Sequence, residues 1–322
     1  YDESGRPEYY REVAVVAVPV HEANDYPDTS QIKNVSDYLD LENNVLQWNP
    51  PVGEWEIYRY IVANSGRQVV LPSENSGGPI LDHYDPDAME YHINYFIERL
   101  STVIDDIEES ALTYLYLASY EARGFSWTAI LPETFKEMHG YEIFKFIPSL
   151  HIQDAYVESA YPDDDAAKRF LYDFNNTISD MMIKNHYQKG SEIANKVGLD
   201  LISESGGPGL PLHNMPVDAL GALGAVDIPR GEFWYKHSRW TQKDVQYGDS
   251  VDLLRVVKGP AAAANIYKKP QVEMEAFTSW HHWLTGPFDI KPVGDRAFAE
   301  GMNRVTVHGA SHNPGGTGYP GI

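Results

Sequence analysis

Glutamates set beside short apolar runs are the residues most able to do chemistry in this chain. Leu199 to Ser203 is an apolar run that ends on Glu204, followed by the turn Ser205-Gly206-Gly207-Pro208-Gly209. A second apolar run, Leu223 to Ile228, leads to Glu232, which is set between Gly231 and Phe233-Trp234. A third, Leu112 to Ala118, leads to Ser119-Tyr120-Glu121, and Glu275 lies inside a fourth, Val272 to Phe277. Two carboxylates facing one another across a sugar can split a glycosidic bond. One, kept protonated, gives its proton to the leaving oxygen, and the other activates water or attacks carbon. Any single glutamate is more often a solvated loop residue. The combination of three acids behind apolar strands lifts these above that background.

Other chemistries find less support. There is no His-Glu-x-x-His, and His308 and His312 stand four apart around Gly309, which argues against a helical metal pair. The glycine-rich turn after Glu204 lacks the Gly-Lys-Ser/Thr of a phosphate loop and the spacing of a dinucleotide site. No serine sits in a Gly-x-Ser-x-Gly elbow. Trp127 and Trp234 could stack on a sugar ring, and with Glu275 and His308 they form the candidate substrate-binding set. A metal-dependent enzyme using Glu204, Glu275 and His308 is a rival reading.

The elements that must position these residues alternate between strand and helix. The strand candidates are Arg11 to Val20, Trp55 to Val62, Leu112 to Ala118, Leu199 to Ser203, Leu223 to Ile228, Val272 to Phe277 and Asn303 to His308. The first, rich in Val and Ala, reads as a buried strand of the parallel type. Helices are expected from Asp85 (N-cap, with Pro86 following) to about Ile104, over Leu131 to His139, over Tyr141 to Leu150, from about Asp163 to Val197, over Pro260 to Lys268, and over Asp295 to Met302. Residues 21–53 and 64–84 read as long polar loops. Such alternation argues for an α/β fold of the (β/α)8 TIM-barrel type. There the acids at strand ends would converge on the top face.

Composition narrows the partners. The formal net charge of −22 argues against a nucleic-acid partner. No run of about 18 apolar residues exists, so no membrane span is expected. Without cysteine, disulfides and thiolate chemistry are excluded. The chain starts on Tyr1 and ends on a glycine-rich tail, and it reads as a fragment, 1–322, of a larger multidomain chain. If so, its barrel is incomplete.

Taken together, REVAVVAVPV, WEIYRYIVANSGR, YLASYEARGFSWT, ESGGPG, DIPRGEFW, KGPAAAANIYKKPQVEMEAFTSW and NRVTVHGASHNP resemble, in order, the catalytic region of the family 106 α-L-rhamnosidases. The resemblance implies a (β/α)8 catalytic barrel with further domains on the same chain and a periplasmic or secreted location. It also implies hydrolysis of terminal α-L-rhamnosyl linkages in plant or microbial polysaccharides, with inversion and with calcium as cofactor. It makes Glu121 the general acid, Glu232 the general base and Glu204 a third essential acid, and it assigns no metal ligands. The chain has Ala118 where the family commonly carries Asp, and Arg123-Gly124-Phe125-Ser126 where a Gln-Asn pair is more usual. It also has His312-Asn313-Pro314 in place of His-Gln-Pro. A non-catalytic carbohydrate-binding homologue, or a hydrolase of another deoxysugar glycoside, is the alternative.

Overall fold

The computed structural model describes residues 9–20, 28–64, 77–120, 127–153, 156–206, 216–234, 251–278 and 286–307. The chain divides into two compact units, Tyr1–Asp85 with Ala122–Asp180, and Pro86–Glu121 with Met181–Ile322.

In the first unit, β1 (Tyr10–Pro19) is flanked by β2 (Lys33–Asn34) and β5 (Trp55–Ala63), both antiparallel to it. The short strands β3 (Leu39–Asp40) and β4 (Val45–Leu46) form a ribbon of their own. The sequence expectation of two parallel barrel strands is corrected here. The apolar run of β1 reports burial on both faces, not pairing direction. Ala14, Val16 and Val18 pack with Ile32, while Val15 and Ala17 pack with Val35 on the other side. The sheet is pinned at Arg59, whose guanidinium pairs with Glu12 and donates to Asn44 Oδ1 at 2.6 Å.

Further along this unit, α2 (Leu131–His139) stops at Gly140, whose φ of 78° is the left-handed geometry that ends a helix. The helix expected over 141–150 is instead a single turn around Pro148 leading into the hairpin of β7 (Leu150–Gln153) and β8 (Tyr156–Ser159). Proline removes a helical donor and blocks continuation. The helix α3 (Asp165–Met181) completes the unit's elements.

The second unit holds a parallel sheet of five strands, β6 (Tyr114–Leu117), β9 (Asp200–Ser203), β10 (Ile228–Trp234), β11 (Glu273–Thr278) and β12 (Arg304–Val307). Their spatial order is β12-β11-β10-β9-β6, so each pairs with its chain neighbour in the series. The helices α5 (Ala219–Ala225), α6 (Val251–Ile266) and α7 (Pro287–Glu300) are the crossovers between β9, β10, β11 and β12. This is the winding of a β/α barrel carried through five strands. A π-helical segment, Met182–Gln188, leads into α4 (Lys189–Asn195) ahead of β9, and α1 (Pro86–Leu100) packs against α4.

The strand expected over 223–228 is instead the end of helix α5 through Ala225 and the turn into β10 at Ile228; α5 is capped by Asp218, whose side chain accepts from Leu220 N at 3.1 Å. The apolar run there buries one helical face through Ala222 and Leu223. Two helices also begin earlier than expected. Pro260 lies inside α6 rather than at its start, and α7 begins at Pro287, with Asp289 accepting from Gly286 N.

The sheet's two faces differ sharply. Phe233, Met274 and Ala276 point toward α6 and α7, packing with Val257, Ala261, Val293 and Ala297. The register puts Tyr116, Ile202 and Ile228 in one row, Arg230, Glu273 and Arg304 in a second, and Glu232, Glu275 and Thr306 in a third. Period-two alternation therefore sends these three rows to the opposite face.

Candidate active site

Glu204 follows β9 directly and is 2% exposed. The chain then turns at Gly206, whose φ of +83° and close neighbour Val217 leave no room for a side chain. The turn is tied down by Tyr187, whose hydroxyl accepts from Gly206 N at 2.8 Å. Tyr187 is fully buried and comes from the π-helical segment, a geometry that recurs at functional sites. Burial pushes its phenol pKa upward, and the nearby Tyr120 and Glu204 add to the rise.

Glu232 lies within β10 rather than past its end, half-buried, opposite Glu275 on β11 and next to Thr306 one strand further. Adjacent strands are about 4.8 Å apart, so the Glu232 and Glu275 side chains leave the sheet side by side. Glu275 is held by Arg230, Nη2 to Oε2 at 2.6 Å. The same guanidinium faces Glu204 Oε1 from Nε at 3.3 Å and Glu273 Oε1 from Nη1 at 3.6 Å. Its carbon sits 4.3 Å from the centre of the Tyr116 ring. Arg230 is 6% exposed.

A second arginine continues the network. Arg304 Nε meets Glu273 Oε2 at 2.8 Å, Nη1 donates to Gln271 Oε1 at 2.7 Å, and Nη2 donates to Tyr114 Oη at 2.5 Å. Thr306 Oγ1 donates to Glu273 Oε1 at 2.7 Å. Barrel interiors are ordinarily filled by branched apolar side chains. Here one face of four strands carries Glu204, Glu232, Glu273 and Glu275 with Arg230 and Arg304. So much buried charge is costly unless paired, and the pairing through Arg230 and Arg304 sets this face apart from an ordinary apolar barrel interior.

The strand ends beside this face are irregular. The β10–β11 register slips between Phe233 and Trp234, so Trp234 pairs with Thr278. Phe277 takes φ 68°, a left-handed conformation that is rare for a bulky residue, and is held by edge contact with Phe233 at 5.2 Å. Bulges of this kind are common next to active sites.

A sequence model of the alpha-L-rhamnosidase family, glycoside hydrolase family 106, matches residues 1–322. The chain belongs to this family. The chain is 28% identical over 284 residues to a Formosa agariphila protein provisionally named a beta-glucuronidase, covering 88% of this chain and 22% of that one. It resembles the structure of a rhamnosidase from Novosphingobium sp. PP1Y, with TM-score 0.71, 21% identity, and coverage of 89% of this chain and 26% of that one. The present chain therefore spans about a quarter of the length of the proteins it matches. The structural likeness supports an α/β fold with a curled, parallel half-barrel sheet.

Among the sequence-derived candidates of this family 106 chain, Glu204 and Glu275 meet at Arg230, with Glu232 beside Glu275. Trp127 is half-buried and belongs to the first unit, and Trp234 closes β10. Glu121 and His308 lie outside the described residues. Sequence reasoning passed over Arg230, Glu273, Arg304 and Tyr116. A signal was available for Arg230, which stands two residues before Glu232 in DIPRGEFW and so on the same strand face.

Calcium takes six to eight oxygen ligands. Among the described residues, no three acidic or histidine side chains come together in a way that could hold a metal. The carboxylates of Glu204, Glu273 and Glu275 instead surround a guanidinium. Arranged around a guanidinium in this way, these residues do not fit a calcium ion. No helix among them is long and apolar enough to cross a membrane.

Proposed function

We propose that this chain is the catalytic part of a larger, secreted or periplasmic glycoside hydrolase that removes terminal α-L-rhamnosyl groups from plant or microbial polysaccharides with inversion. The observation that carries the reading is Glu232, half-buried within β10 and next to Glu275 on the charged face of the parallel sheet, in a chain matched throughout by the rhamnosidase family. In this reading Glu232 takes a proton from water as the water attacks the anomeric carbon. Glu121 donates a proton to the departing oxygen. Glu204 and Glu275 hold sugar hydroxyls, and Trp234 and His308 complete the substrate contacts. The positive charge that develops on the sugar ring at the transition state is favoured beside this carboxylate-rich face.

A beta-glucuronidase reading is raised by the name of the Formosa agariphila relative. A uronate would bring a carboxylate toward a face on which glutamates outnumber arginines and both arginines are already paired. That favours a neutral sugar.

The full-length protein should hydrolyse an aryl α-L-rhamnoside faster than an aryl β-D-glucuronide, and NMR of the first-formed sugar should show the inverted anomer. Glu232→Gln should lower kcat by roughly 10²–10⁴-fold. Undiminished turnover in that variant would remove Glu232 from the role of base. Binding of rhamnosides without turnover would favour a carbohydrate-binding homologue.

A further inference from the structure

We propose that Arg230 is the positioning residue of this site: through its guanidinium it sets where Glu204 and Glu275 stand around Glu232, and so where the sugar is held. The proposal rests on the glycosidase reading above. One buried side chain reaches Tyr116 on β6, Glu204 after β9 and both Glu273 and Glu275 on β11, while itself rooted in β10. It thereby joins four strands across the polar face.

The need for it follows from the register. Glu232 and Glu275 are direct partners on adjacent strands, and like charges so placed repel. Arg230 stands one row below. Its 2.6 Å contact draws the Glu275 carboxylate toward that lower row and away from Glu232. Its 3.3 Å approach to Glu204 does the same for the acid at the end of β9. Glu273 is anchored independently by Arg304 and Thr306, so it acts as a fixed wall against which Arg230 is registered. The planar fork of an arginine can address several carboxylates at once, whereas a lysine ammonium addresses them as a point charge.

The test uses the full-length protein and an aryl α-L-rhamnoside, with Arg230→Gln, Arg230→Lys, Glu275→Gln and the double variant Arg230→Gln/Glu275→Gln. Misplacement by about 1 Å costs on the order of 100-fold in rate. Arg230→Gln should therefore lower kcat about 100-fold per folded molecule while KM moves less than about threefold, and Arg230→Lys should recover only part of the loss. Because Arg230 acts through Glu275, the double variant should be no more than about threefold worse than Arg230→Gln alone. Melting temperatures of the four proteins should be non-additive in the same sense.

A kcat for Arg230→Gln within about threefold of wild type, or losses that simply multiply in the double variant, would overturn the proposal. Wild-type protein inert toward every aryl glycoside would sink the functional reading instead. The melting cycle, with a crystal structure of Arg230→Gln, then decides the proposal: additive melting shifts and an unmoved Glu275 carboxylate would refute it.

Discussion

Gly231 separates Arg230 from Glu232, and replacing it by alanine is the sharpest test of how the site is seated. A Cβ built there would stand 2.3 Å from the carbonyl oxygen of Val256, 2.9 Å from Met274 Sδ and 3.1 Å from Pro260 Cγ. The methionine tip can swing aside, but a helix carbonyl cannot. Pro260 lies four residues after Val256 and has no N–H, so it gives that carbonyl no helical hydrogen bond and leaves α6 free to press it onto β10. Carbon contacts relax near 3.5 Å, so α6 and β10 would have to separate by about 1 Å. That opens the packing of Phe233 and Met274 against Val257 and Ala261. Overpacking of this kind costs typically 1–3 kcal/mol, and a backbone clash belongs at the upper end, about 3 kcal/mol. For a unit of this size the melting temperature should fall by roughly 6–12 °C. Because the strand that moves carries Glu232, kcat should fall about 100-fold as well.

The control lies in the same helix. A Cβ at Gly259 would meet only Leu223 Cδ1 at 3.9 Å. Gly259→Ala should therefore stabilise by about 0.5–1 kcal/mol through helix propensity alone. Calorimetry or circular dichroism on both variants, with single-point kinetics, makes the comparison. If Gly231→Ala melts at or above the wild-type temperature, or Gly259→Ala loses as much as it does, the close approach of α6 to β10 is not what seats Glu232.

Two further substitutions probe the supports of Glu204. Asp227 Oδ2 accepts from Ser191 Oγ at 2.5 Å, Asn195 Nδ2 at 3.0 Å and Leu201 N at 2.8 Å, joining α4 to the start of β9, so Asp227→Ala should cost about 3 kcal/mol in urea unfolding. A loss under about 1 kcal/mol would show these bonds to be replaceable by water. Tyr187→Phe removes the acceptor for Gly206 N and should cost about 1 kcal/mol at neutral pH. Burial raises the Tyr187 pKa in the folded state, so the folded protein holds that proton more tightly than the unfolded chain. Stability from this group is complete below the unfolded value near 10 and is lost as pH rises above it. The variant should therefore lose less stability than wild type between pH 9 and 11, and parallel melting curves over that range would contradict the assignment.

Much of this architecture was legible from local pattern. Gly140 and Gly198 end helices where the sequence stops its helical period, and the long helical stretch read from about Asp163 to Val197 corresponds to α3, the π-helical segment and α4 in continuous succession. Leu112 to Ala118, Leu199 to Ser203, Val272 to Phe277 and Asn303 to His308 mark four of the five parallel strands to within a residue or two. Elsewhere the same kind of signal misled. A run of small apolar residues at 223–228 satisfies a buried helix face as well as a buried strand, and only the Asp218 cap and the packing of α5 on α6 decided between them. Likewise β1 is apolar on both sides because two clusters cover it, which is equally true of a central parallel strand and of this antiparallel one.

The sequence by itself determined the acids and their strands: Glu204 behind an apolar run, Glu275 inside one, and Glu232 in Gly-Glu-Phe-Trp, with Arg230 two residues earlier. Those are local facts, set by alternation along a single strand. What only the tertiary structure decided is which of them meet. That β10 lies between β9 and β11 depends on the pairing of Ile228 with Ile202, and that Arg230 stands beside Glu273 and Glu232 beside Glu275 depends on pairing between segments more than forty residues apart in the chain. A slip of one residue would send Arg230 and Glu232 into the apolar layer under α6, where neither could be paired. The register is fixed by the other face, where Gly231, Phe233, Met274 and Ala276 must fit the helices. The packing of the apolar side thus sets the geometry of the charged one.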